Sequence, residues 1–180
     1  GEVTQYTFTV IEGWTTAELL AALHDNPKIR NTLRDLTTKQ VINKLNLHTD
    51  SLEGLFLADT YYINAVTTDF DFFRRAPAAL QEKLDLAWHR RDQNCIFKNS
   101  YEALIMASII EKESGLPHEL HQISGVFHRR LIKNMRLQAD PTVAYAIADQ
   151  LEGPLLRRHL KIDTPYNTYM YKGLPPTPIA

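Results

Sequence analysis

Two carboxylic acids close the most apolar run of the chain, Glu111 and Glu113 in Ala103-Leu-Ile-Met-Ala-Ser-Ile-Ile-Glu-Lys-Glu113. On a helix advancing about 100° per residue, Met106, Ile109 and Ile110 lie within about 60° of Glu113, whereas Glu111 falls on the opposite side with Leu104 and Ser108. Glu113 therefore ends an apolar stripe in the last turn, at the negative end of the helix dipole. Desolvation and the dipole both disfavour its carboxylate and raise its pKa. A carboxyl that stays protonated near neutrality is what a general acid requires. A Glu at a helix end that simply reaches water would show the same pattern, so spacing leaves both roles open.

Two further stretches carry polar side chains suited to a binding site. Between Ser124 and Tyr145 a helix and a turn lead to Gln138, Asp140 and Thr142, grouped at the start of another helix. Asp140 before Pro141 fits an N-cap. Arg136 and Gln138 have no such local use, although surface exposure accounts for both. In Asp163-Thr-Pro-Tyr166-Asn167-Thr168-Tyr169, followed by Gly173-Leu-Pro-Pro176, rings and amides share a loop. Rings stack on the apolar faces of sugars, and amides bind hydroxyl or acetamido groups. A well-packed turn uses the same residue types.

These groups need elements to carry them. Residues 3–11 alternate and are β-branched or aromatic, which predicts a strand. Gly13 breaks it, and Thr15 or Thr16 with Glu18 forms the cap and first turn of a helix through Leu23. Residues 28–47 show two short helical patterns, with Thr37 capping the second. Residues 51–63 read as a loop and a short extended segment. From Thr68 to Arg91, Phe70, Phe73, Leu80, Leu84, Ala87 and Trp88 recur at helical spacing, predicting a long structural helix with a solvated charged face. Residues 100–114 form the most apolar helix. Gly115 and Pro117 end it and begin another that runs to Asn134. Pro141 stands at N1 of a short helix through Ala148. From Gly153 the chain is basic, then proline-rich and loop-dominated. The fold class is α+β, mainly helical, with a small N-terminal β-containing segment.

Composition narrows the chemistry. The 180 residues carry 20 basic and 21 acidic side chains, for a net charge of −1, with 44% hydrophobic residues. That is one domain, or one with a small appendage, with enough apolar content for a core. A near-neutral balance argues against a nucleic-acid binder that works by a broad phosphate-neutralising surface. The single cysteine, Cys95, can make no internal disulfide and is too little for a cysteine-based zinc site. His118-Glu-Leu-His121 is not the H-E-x-x-H zinc pattern, so no metal is expected. No glycine-rich phosphate loop or G-x-S-x-G setting occurs. The longest apolar run, 103–110, is far short of the roughly 20 residues a spanning helix needs, and no secretory leader opens the chain, so the chain is expected to be soluble. Both ends look cut, as in a fragment of a longer protein.

Three motifs in order, Met106-Ala-Ser-Ile-Ile-Glu-Lys-Glu113, Met135-Arg-Leu-Gln-Ala-Asp-Pro-Thr-Val143 and Pro165-Tyr-Asn-Thr-Tyr169 with Gly173-Leu-Pro-Pro176, resemble the endolytic murein transglycosylases, the YceG-like family. Glu53-Gly-Leu-Phe56 and Asp59-Thr-Tyr61 look like the upstream segment of that family. The resemblance implies that Glu113, the second Glu of the family's motif, is the catalytic acid, in agreement with the face argument. It implies cleavage of the β-1,4 bond between N-acetylmuramic acid and N-acetylglucosamine without water, leaving 1,6-anhydromuramyl ends. Gln138, Asp140, Thr142, Tyr166, Asn167, Thr168 and Tyr169 would line or support the sugar groove, with Glu111 and Arg130 as supporting residues and no cofactor. Residues 51–180 would be the catalytic domain, truncated at its C-terminus. Residues 1–50 would hold linking helices and part of a LysM-like module.

Implied partners are peptidoglycan glycan strands and cell-wall synthases of the penicillin-binding class. The implied location is the bacterial inner membrane with the site facing the periplasm, through an anchor absent from this chain. His128, Asn134, Thr177 and Ala58 depart from the family's usual Asn, Gly, Gly and Pro. The alternatives are a non-catalytic glycan-binding or scaffolding module and, last, an enzyme acting on a small carboxylate substrate, for which no lysine sits in a pyridoxal-type setting.

Overall fold

The computed structural model describes residues 4–47 and 49–180. Val3, the first residue of the expected 3–11 strand, lies outside them. The described residues form six α-helices and one two-stranded sheet, an α+β, mainly helical chain. They divide into two units, Gly1–His89 and Arg90–Ala180.

In the first unit, Thr15 caps helix α1 (Thr16–Asp25) through a capping box: its side chain accepts from the Glu18 N–H, and the Glu18 carboxylate accepts the Thr15 N–H at 2.7 Å. A second acid reinforces this positive helix end, since buried Glu53 accepts from Thr16 N at 2.7 Å and from Thr16 Oγ1 at 3.1 Å. Thr37 and Gln40 repeat the box at α2 (Thr38–Leu45). Only one of the two helices expected over 28–47 forms. Residues 28–36 are turns instead, because Asp69, 0% exposed, accepts from Thr32 N at 2.8 Å, Thr32 Oγ1 at 2.5 Å and Leu33 N at 2.9 Å. That carboxylate offers the backbone an alternative to helical bonding.

Strand β1 (Tyr6–Thr9) is shorter than predicted and pairs antiparallel with β2 (Thr60–Ile63), Tyr6 opposite Ile63. The pairing joins segments on either side of residue 50. Helix α3 (Asp69–His89) buries Phe72, Phe73 and Ala76 near its start, and Ala87 is exposed. Phe72 meets Phe8 at 5.5 Å and Tyr61 at 4.9 Å, both edge-on, in a core shared with Leu19, Leu23 and Ile63.

In the second unit, α4 (Ser100–Glu113) packs against α5 (Leu120–Ile132) and α6 (Asp140–Ala146). Asn99 caps α4 by accepting from Glu102 N at 2.9 Å. Ile105, Met106, Ile109, Phe127, Leu137, Ala139 and Ile179 form the core. Ser108, on the Glu111 side by spacing, is buried, because Ile179 N donates to its hydroxyl at 3.0 Å. The chain turns after α5 at Asn134, φ 50°, with Asn134 N donating to Leu131 O at 2.9 Å and Met135 N to Arg130 O at 2.8 Å. This is a Schellman turn, whose left-handed residue is most often Gly and sometimes Asn, as here. Helix α6 begins at Asp140 with Ala139 as N-cap. Asp140 is therefore not the N-cap expected; its carboxylate is engaged elsewhere. Beyond α6 the chain is loop, with two 3-10 turns, Ala148–Gln150 and His159–Lys161.

Candidate active site

The site is built on a closed set of hydrogen bonds between the 137–142 and 164–171 segments. Gln138 N donates to Thr168 O at 3.1 Å, and Ala139 N donates to Thr168 Oγ1 at 3.0 Å. Thr142 Oγ1 donates to Ala139 O at 2.7 Å and lies 2.9 Å from Thr168 Oγ1. With the Thr142 proton committed to Ala139 O, Thr168 is the donor of the last bond, and the ring closes. Asn167, 0% exposed, donates to Leu160 O at 3.1 Å and Ile162 O at 2.7 Å and accepts from Tyr169 N at 2.9 Å. Tyr166 donates to Thr177 Oγ1 at 2.8 Å, because the Thr177 proton goes to Pro178 O. Its ring packs 5.1 Å from that of Tyr145. Thr142, Asn167 and Thr168 turn their polar atoms into the protein and fix the loop's shape, the supporting rather than the lining role expected of them, and the Tyr166 hydroxyl is taken up by Thr177.

Next in sequence to Ala139 and to Thr168 stand Asp140 and Tyr169, and the Tyr169 phenol donates to Asp140 Oδ1 at 2.5 Å. Glu113, the last residue of α4, belongs to the same electrostatic cluster. Its carboxyl is held above the ordinary carboxylate range by desolvation first and by the Asp140 charge second, with Arg130 opposing. The residue is exposed as a whole, so the desolvation is partial. The Tyr169 phenol is pushed up to about 12 by burial, its bond to Asp140 and the charges of Asp140 and Glu113, again against Arg130. Arg130 is itself positioned by a bond from Nη1 to the Leu137 carbonyl. Glu113, Asp140, Tyr169 and Arg130 therefore act on one another. A carboxyl biased to keep its proton, a nearby carboxylate and a guanidinium can together give up and take back a proton.

The remaining candidates are placed differently. Gln138 is exposed and holds φ 52°. For a side chain without the Asn preference for that region, this is strain of about 1–2 kcal/mol. Glu111 is exposed on α4 away from the buried face. The Leu137 carbonyl that holds Arg130 carries no sequence signal, being backbone. Among the described residues, no three His, Cys, Asp or Glu converge as a metal site would require.

The chain is thus a mainly helical α+β framework in which the helix-terminal Glu113 feels the charge of a Tyr-clamped Asp140 beside a loop braced by hydroxyl bonds. The particular family follows from comparison: the YceG-like family model matches residues 1–180, and the chain belongs to that family. It is 33% identical over 197 aligned positions to an endolytic murein transglycosylase of Bacillus subtilis, covering 98% of this chain and 54% of the relative. It is 33% identical to one from Streptococcus pneumoniae, over 71% of this chain and 24% of the relative. The chain thus spans about half the length of the Bacillus relative. A crystal structure of a yceG-like protein from Listeria monocytogenes matches with a TM-score of 0.69 at 27% identity, covering 99% of this chain and 64% of that one.

Proposed function

We propose that this chain is part of a lytic transglycosylase, with the 90–180 unit as its catalytic centre, that cuts the N-acetylmuramic acid–β-1,4–N-acetylglucosamine bond inside peptidoglycan strands. The observation that carries this reading is the Glu113 carboxyl, biased toward its protonated form by partial burial and by Asp140. Glu113 gives its proton to the glycosidic oxygen as the bond from C1 breaks, and the N-acetylglucosamine leaves with a free 4-hydroxyl. The muramyl C6 oxygen then closes onto C1, and its proton passes to the Glu113 carboxylate. The product is a 1,6-anhydromuramyl end, no water is consumed, and the acid is regenerated. One carboxyl serves both steps, so the second catalytic acid of ordinary glycosidases is not required.

The neighbours have complementary roles. Asp140 favours the proton on Glu113 at rest and the positive charge that develops at C1, while Tyr169 holds Asp140 in place. Arg130 steadies the Glu113 carboxylate once the proton has left. The names of the relatives support the same substrate. That substrate puts the reaction outside the cytoplasmic membrane, and the family resemblance adds a membrane anchor and coupling to cell-wall synthases. No described helix is long and apolar enough to cross a membrane.

The test is digestion of purified murein glycan by the wild-type chain and by Glu113→Gln, with products read by mass spectrometry. Anhydro-ended fragments are expected from wild type alone. Identical products from both, or from neither, would overturn the reading.

A further inference from the structure

Tyr171, two residues beyond Tyr169, is pinned in the same manner. Its phenol donates to Asp163 Oδ1 at 2.6 Å although the residue is 47% exposed. A side chain held in one conformation gives up rotamer entropy, and here little burial offsets that loss. What the bond to Asp163 achieves is a fixed aromatic face at the surface. Tyr171 and Asp163 line a cavity of about 550 Å³ together with Lys172 and the rigid Pro165 and Pro176, within the size range of small-molecule sites. Thr164 also lines the cavity, and its hydroxyl is buried with no partner among the described residues. An aromatic platform flanked by a carboxylate and an ammonium is the chemistry that takes a pyranose, stacked by its apolar face and bonded through its hydroxyls. Two residues of extended chain span at most about 7 Å, so the Tyr171 backbone stands within that distance of Tyr169, whose phenol meets Asp140.

We infer that this cavity is a second subsite of the same groove, which holds an N-acetylhexosamine ring of the glycan strand against Tyr171 while another part of the strand meets Glu113. The identity of the polymer rests on the proposed function; the recognition does not. The probe is chitotetraose, four β-1,4-linked N-acetylglucosamines without muramic acid, titrated calorimetrically into the wild-type chain, Tyr171→Ala and Tyr171→Phe. Tyr171→Ala is expected to bind about three- to tenfold more weakly, the size of one aromatic stacking contact. Tyr171→Phe, which keeps the ring but loses the bond to Asp163, should fall between Tyr171→Ala and wild type, and both variants should melt like wild type because Tyr171 is exposed. Absence of saturable binding to wild type, equal affinity of Tyr171→Ala, or occupation of the cavity by a free murein stem peptide in preference to the sugar would each overturn the inference. Since chitotetraose binding requires no cleavage, failure of the murein digestion would leave this result standing, and the two readings fail separately.

Discussion

Glu113 and Asp140 are coupled through their charges, and the coupling has a definite sign. A general acid works only while protonated, so activity falls as pH rises through the pKa of Glu113. Replacing Asp140 with Asn removes the negative charge that helps raise that pKa. The alkaline limb of the pH–rate profile of Asp140→Asn should therefore move to lower pH, with the largest loss on that limb. If Tyr169 acts through Asp140, Tyr169→Phe should cost activity in the wild-type background and little more in Asp140→Asn; an undiminished second loss would show that the phenol meets the substrate instead. Glu111→Gln should retain more activity than Glu113→Gln. Linkage gives an independent readout of the same carboxyl. A Glu whose folded pKa is raised binds more protons in the folded than in the unfolded state, so its contribution to stability declines as pH rises from the unfolded pKa through the folded one. Glu113→Gln should thus melt no lower than wild type at pH 8, and its advantage should vanish near pH 4, as thermal denaturation at the two pH values would record. The helix face that singles out Glu113 was legible in the sequence. The charge that acts on it was not, because Asp140 lies 27 residues further along, at the start of a helix that packs against α4.

Elements fared according to how local their causes are. Thr15 with Glu18, Thr37 and Asn99 each sit within three residues of the N–H groups they cap, so their helices could be read or nearly read from pattern. Residues 28–36 misled, since the carboxylate that organises them comes from Asp69, more than thirty residues away. The Asp140 cap failed for the same reason, its side chain being drawn to Tyr169. The braced loop makes its own prediction. Thr168→Val keeps shape but strips the acceptor from buried Ala139 N, and should destabilise the fold by about 1–3 kcal/mol in urea unfolding. Gln138→Gly relieves the left-handed backbone and should leave stability unchanged or raise it by up to about 1 kcal/mol. Loss of glycan cleavage in that variant would mark the strain as serving the side chain's position.

At the scale of the whole chain, the near-neutral total conceals an uneven division. Residues 1–89 hold eight basic and twelve acidic side chains, and residues 90–180 hold twelve basic and nine acidic. The unit with the proposed site is thus the cationic one, and charges beyond about 10 Å are screened at 0.1 M salt. Binding of Glu113→Gln to peptide-bearing murein, whose stems are acidic, should weaken with added salt more than binding to peptide-stripped strands, as co-sedimentation would reveal. The hydroxyl ring through Thr142 and Thr168 has a consequence for chain length. It locks residue 139 against residue 168 directly, so the pairing of Asp140 with Tyr169 does not depend on how many residues lie between. Asn167 fixes the return of the chain only from Leu160 onward. Gly153, exposed at φ 83° in the intervening loop, is then a place where a peptide tag or a reporter could be spliced in while the proton-transfer centre keeps its geometry.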